Sequence, residues 1–219
     1  MSIWIKICAN TSLADAQFAV EAGADAVGFV FAPSPRRVSP EQVAAITPHL
    51  PTSIEKIGVF VDADFVTIAA TVEQAGLTGV QLHSEVSASL PVQLRQRFGT
   101  SLCILRVLHF GEDALPQLQK LSEDTYIDAI LVDSRSATAV GGTGVSFDWH
   151  TARATVFAGS RRLIAAGGLS PANVAEAIAI LRPWGVDVAS GVELSPGRKD
   201  PAKVHAFVAK ARQSQASGE

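Results

Sequence analysis

Certain side chains in this chain stand where packing alone would not put them. Cys8 closes the apolar run IWIKIC, Asp133 closes DAILVD and His83 closes VQLH. A thiol and a carboxylic acid held on two sides of one substrate form a base and an acid, the pair that a proton-transfer isomerisation needs. Alternation along a strand puts Trp4, Lys6 and Cys8 on one face. If that face points inward, the Lys6 ammonium lies beneath the thiol and lowers its pKa. Cys103, inside another apolar run, reads as a small buried hydrophobe. Arg37 in APSPRRVSP offers a planar fork for a substrate carboxylate, and Arg36 beside it offers the same. His83 fits a hydrogen-bonding core position and a substrate-facing one equally well. Asp187, among apolar neighbours in VDVAS, is placed to reach inward to sugar hydroxyls.

Two glycine-bearing turns complete the set. Gly167-Gly168 ends one apolar run and Ser190-Gly191 ends the next. Glycine lets backbone N–H groups approach a ligand closely, and a short helical turn after the second run would add its positive end. Each pair alone reads as a tight turn. In tandem, at the end of a repeated strand–helix pattern, they read as a cradle for phosphate.

The elements that must position these groups follow from periodicity. Eight apolar, mostly β-branched runs recur: Ile3–Cys8, Ala26–Phe31, Lys56–Val61, Gly79–His83, Leu102–Val107, Asp128–Asp133, Arg162–Ala166 and Val186–Ser190. Helical patterns lie between them at Ser12–Ala22, Pro40–Thr47, Asp64–Gln74, Ser87–Phe98, Asp113–Leu121 and Pro171–Leu181, the last with Ser170 as its cap. A final one spans Pro201–Arg212. Such alternation predicts a parallel sheet with right-handed crossovers. Eight units in 219 residues point to a single-domain α/β fold, a (β/α)8 TIM barrel over residues 1–212, with 213–219 as a frayed tail. The alternative, a doubly wound open sheet, usually has fewer strands. In a barrel the strand C-termini form the active-site mouth, which gathers Cys8, His83, Asp133 and both glycine turns there. The segment after Asp133, SRSATAVGGTGVSFDW, is long and rich in small residues, as an active-site loop would be.

Composition narrows the function. With 18 basic and 21 acidic residues there is no electrostatic case for nucleic acid or an anionic membrane. Two distant cysteines fit a reducing compartment better than a disulfide framework. MSIWIKIC has no signal-peptide layout and no run is long enough to span a bilayer, so a cytoplasmic protein is expected. No residue group has metal-ligand spacing and no nucleotide fingerprint occurs, so neither metal nor cofactor is expected. The sequence does not set the oligomeric state; a monomer is the starting expectation.

These residues together resemble the phosphoribosylanthranilate isomerase family. The likeness spans essentially the whole chain: KIC at 6–8, GADAVGFVF at 23–31, SPRRVSP at 34–40, GVFV at 58–61, VQLH at 80–83, LVD at 131–133, GGTG-x-x-FDW at 141–149, GGLSPANV at 167–174 and VDVASGVE-x-x-PG-x-KD at 186–200. The resemblance implies a TIM barrel that isomerises a phosphosugar in tryptophan biosynthesis, with Cys8 as general base and Asp133 as general acid. It implies Arg37 on the substrate carboxylate and Gly168, Ser190 and Gly191 on the phosphate. Gly142, Gly167, His83 and Asp187 are further candidate substrate contacts. The chain departs from the family pattern at Ala9 and Asn10, where Gly and an apolar residue are usual, and at Ser84 and Ala189, where Gly and Ser are usual. If position 9 needs a positive φ, Ala9 is strained. Related barrels offer competitors. A histidine-pathway aminoaldose isomerase has Asp in place of the first-strand cysteine. A metal-dependent pentose-phosphate epimerase needs several His and Asp at strand ends. A non-catalytic phosphosugar- or partner-binding module is the remaining competitor.

Overall fold

The computed structural model describes residues 2–83, 87–133, 148–159 and 161–216. Eight parallel strands close on themselves in chain order: β1 (Trp4–Ile7), β2 (Ala26–Val30), β3 (Glu55–Val61), β4 (Gly79–His83), β5 (Cys103–His109), β6 (Ala129–Asp133), β7 (Leu163–Ala166) and β8 (Gly185–Val188). The helices alternating with them are α1 (Leu13–Glu21), α2 (Pro40–Ala44), α3 (Phe65–Ala75), α4 (Ser89–Phe98), α5 (Ala114–Glu123), α6 (Trp149–Ala154), α7 (Val174–Leu181) and α8 (Pro201–Ala216). This is the TIM barrel expected from the sequence.

The strands are mostly apolar on both faces because both are covered. Trp4, Ala26, Ile57, Leu105, Val107, Ala129, Leu131, Ile164 and Ala166 fill the barrel interior. The alternating set, including Ile5, Ile7, Val27, Phe29, Leu82, Ile104, Ile130 and Val132, packs under the helices. The caps are local chemistry. Ser12 accepts from the Asp15 N–H, Ser39 and Gln42 form a reciprocal capping box, and Asp64 accepts from Thr67 N. Asp148 caps α6 through the amides of His150 and Thr151. At the N-terminal end of the barrel Trp4 stacks on Trp184, with ring centroids 5.4 Å apart, and the Arg162 guanidinium lies 5.2 Å from the Trp184 ring.

Several boundaries differ from the sequence reading. Ser170 does not cap α7, which starts at Val174 behind Asn173. The Asn173 side chain accepts from Ser170 N and donates to the Gly168 carbonyl, which holds residues 170–173 as a turn. β5 runs on to His109 because pairing with β6 continues through His109↔Asp133. α6 has too few turns to show a periodicity. A 3₁₀ turn at Ser190–Val192 follows β8, as expected, but leads into an unforeseen hairpin, β9 (Glu193–Ser195) and β10 (Arg198–Lys199). α8 continues past Arg212 to Ala216. Ser84, Gly142 and nearly all of the proposed loop after Asp133 lie outside the described residues.

Candidate active site

Closure of the barrel between β1 and β8 builds the first half of the site. The register places Lys6 beside Asp187 and Ile7 beside Val188, so both charged side chains point inward. Lys6 is completely buried, and its Nζ donates to Asp187 Oδ1 at 2.7 Å. Burial pulls the Lys6 pKa down, but attraction from the Asp187 carboxylate and the Cys8 sulfur outweighs it and leaves the ammonium held above its ordinary value. Asp187 is thus the counter-ion of Lys6 through Oδ1.

Cys8 lies one residue past β1, its N–H donating to the Val188 carbonyl at 2.8 Å. Its thiol is pushed up, not lowered as the sequence reading expects. Burial dominates, and the opposing pull of Lys6 and, more weakly, Lys199 is partly offset by Asp187. The space for the thiol comes from Gly28 on β2, where a Cβ would stand 2.7 Å from Cys8 Sγ. A glycine inside a strand is the signal for such an approach, and GADAVGFVF carried it unread. The next residue, Ala9, has φ +61°, so the strain foreseen at this position is present. Asn10 is fully buried and steadies the turn: its Nδ2 donates to the carbonyls of Ile7 and Gly28, at 2.8 and 3.2 Å.

Asp133 ends β6, buried and in register with His109 on β5 and Ala166 on β7. Along the closed barrel, β7 and β8 lie between β6 and β1. Asp133 and Cys8 therefore bracket the two strands whose C-terminal turns carry the glycines. Gly167 and Gly168 both have positive φ, +82° and +66°. A Cβ at Gly191 would fall 1.9 Å from the Leu169 carbonyl oxygen, so only glycine lets the β8 turn lie against the β7 turn. Gly168 and Ser190 are exposed at the rim.

Opposite, His83 at the end of β4 is half-buried, with its Nε2 2.8 Å from Gln81 Nε2 and its ring 6.1 Å from that of His109. His109, whose buried Nδ1 has no hydrogen-bond partner among the described residues, joins this side of the mouth. The sequence reading passed over it by ending the strand at Val107. The two arginines after β2 separate cleanly. Arg36 grips the Glu193 carboxylate with Nε and Nη2, at 2.7–3.1 Å. Arg37 is exposed and lines a cavity of about 440 Å³ with Phe31, Val38, Phe60 and Thr71. That cavity lies on the α3 side of loop 32–39, and neither Cys8 nor Asp133 lines it. The proton-transfer groups belong to the barrel mouth.

Comparison with known proteins gives the family. Residues 5–210 match the model of the N-(5'-phosphoribosyl)anthranilate isomerase family. The N-(5'-phosphoribosyl)anthranilate isomerase of Geobacter sp. (strain M21) is 45% identical over 209 residues, covering 95% of this chain and 97% of that protein. The crystal structure of phosphoribosyl anthranilate isomerase from Thermotoga maritima superposes with a TM-score of 0.87 at 36% identity, over 96% of this chain and 99% of that one. A phosphoribosyl anthranilate isomerase in complex with reduced 1-(o-carboxyphenylamino)-1-deoxyribulose 5-phosphate gives a TM-score of 0.83 at 35% identity, with the same coverage. The chain belongs to the N-(5'-phosphoribosyl)anthranilate isomerase family.

Proposed function

We infer that this protein catalyses the Amadori rearrangement of N-(5-phosphoribosyl)anthranilate to 1-(2-carboxyphenylamino)-1-deoxyribulose 5-phosphate, a step of tryptophan biosynthesis. Beyond family membership, the observation that carries the reading is the bracketing of the β7 and β8 turns by Cys8 and Asp133. A phosphate held at Gly168 and Ser190-Gly191 leaves the sugar between an acid and a base. Asp133 protonates the furanose ring oxygen, and the ring C–O bond opens to an iminium. The Cys8 thiolate removes the proton from C2, and the resulting enolamine tautomerises to the ketone product. Lys6, electrostatically coupled to Cys8 and held by Asp187, supplies the counter-charge when the thiolate forms. Arg37 holds the anthranilate carboxylate, and His83 faces the substrate from the opposite rim. Both cysteines are free, which fits a cytoplasmic setting.

The test is a fluorescence assay that follows loss of phosphoribosylanthranilate generated in situ. Wild type should turn over, and Cys8→Ala and Asp133→Asn should each lose about 10²–10⁴-fold in kcat while remaining folded, the usual scale for acid–base groups. Near-wild-type kcat in either variant removes that residue from the mechanism. An inactive, folded wild type overturns the reaction itself.

A further inference from the structure

The hairpin after β8 carries a charged cluster that the proton transfers leave unused. Glu193 and Lys199 are 7% and 2% exposed, almost as buried as the apolar core. The Glu193 carboxylate accepts from Arg36 Nε and Nη2, from Lys199 Nζ at 3.3 Å and from the Gly197 N–H at 3.3 Å. The three side-chain charges hold one another. Burial pushes Glu193 up, but the Arg36 hydrogen bonds and the Lys199 ammonium prevail and keep it below the usual carboxylate range. Lys199 Nζ also donates to the Ala189 carbonyl at 3.2 Å, and its backbone N–H donates to Asp15 at 3.1 Å.

A buried ion cluster is a poor source of stability, since apolar side chains of similar volume often do as well or better. What it does supply is fixed geometry. One end is Arg36, the neighbour of Arg37 in a short loop that Val38 N→Val30 O ties to β2 and Arg37 N→Ser34 O closes into a turn. The other end is the carbonyl of Ala189, the residue just before the Ser190-Gly191 turn. We propose that Glu193 is a positioning residue that holds both anion-binding ends in place, the carboxylate clamp at Arg37 through Arg36 and the phosphate cradle at Ser190-Gly191 through Lys199, so that each end grips its half of the substrate. This rests on the functional reading above and names how that site recognises its substrate.

The experiment measures kcat and KM for wild type and Glu193→Gln. It also titrates inorganic phosphate and 2-aminobenzoate separately, as probes of the two ends that need no turnover. In Glu193→Gln, KM should rise about tenfold and both probes should weaken at least threefold, while kcat stays within about threefold. A merely structural role would lower the active fraction, so kcat would fall with KM and both probe affinities unmoved; that result overturns the proposal. Weakening of one probe alone also overturns it, because the cluster then serves one end only. If Glu193→Gln fails to fold, Arg36→Lys keeps the charge and loses the two-pronged grip. Both probes should weaken by about twofold to threefold in that variant, and two unchanged affinities overturn the proposal. A wild type that binds both probes but does not turn over refutes the reaction and leaves the coupling decided by the titrations. A wild type that binds neither probe refutes the coupling as well.

Discussion

Cys8 and Cys103 occupy opposite ends of one barrel, the first just past the C-terminus of β1 and the second opening β5. Burial is the leading influence on both and pushes both thiols above their ordinary range. What surrounds them differs in sign. After burial, Cys103 feels the Glu55 and Asp128 carboxylates, which push it higher still, against a weaker pull from Arg95 and Arg162. Cys8 feels Lys6 first, then Asp187, then Lys199. Burial alone therefore does not distinguish the proposed base from the packing cysteine. The sign of the strongest neighbouring charge does, Lys6 for Cys8 against Glu55 for Cys103, together with a place at the mouth where a substrate can arrive.

The sharpest way to break this comparison without touching Cys8 is Gly28→Ala. The new methyl would stand 2.7 Å from Sγ and 3.1 Å from the Cys8 Cα, so the thiol must move. A displacement of about 1 Å at a reacting group costs on the order of 10²-fold in rate, and that loss in kcat is expected. Full activity in Gly28→Ala would mean that the thiol's position does not matter. Next in size is Arg37→Ala, which should raise KM about tenfold with little change in kcat, the pattern for an interaction made equally in ground and transition states. An unchanged KM would move the carboxylate clamp away from Arg37.

Most of the barrel was legible because each strand–helix unit repeats one simple pattern, and periodicity does not depend on long-range contacts. The ends of elements were less so. Val107 reads as a strand end, yet partner-strand pairing extends β5 to His109, and no local signal announces that. Cys8, Asp133 and the glycine turns stood out as exceptions to packing at strand ends. Gly28, Glu193 and Lys199 are set by contacts between segments far apart in the chain. The Lys6–Asp187 pair joins residues 181 positions apart and needed the closing register of β1 and β8 to be found. Only that register shows that Asp187 is the counter-ion of Lys6.

The smallest expected effect concerns Cys103, and it is a matter of stability alone. Cys103→Ala should change turnover by less than about twofold, since surface and packing changes remote from a site leave the transition state alone. Its signature is in the pH dependence of unfolding. The folded thiol is held protonated well above the ordinary range, chiefly by burial. The unfolded chain releases that proton near pH ~8.5. Below this value both states carry the proton and the residue adds no pH dependence. Above it the unfolded state binds fewer protons than the folded one, so stability falls as pH rises, by up to about 1.4 kcal/mol per unit for one group. Cys8 is raised in the same direction in both proteins and cancels in the difference. Urea unfolding at pH 7.5 and 10 should therefore show wild type losing more stability than Cys103→Ala across that interval. Parallel losses would mean that Cys103 ionises in the folded barrel. The contrast between the two thiols would then rest on position at the mouth and not on the charges around them.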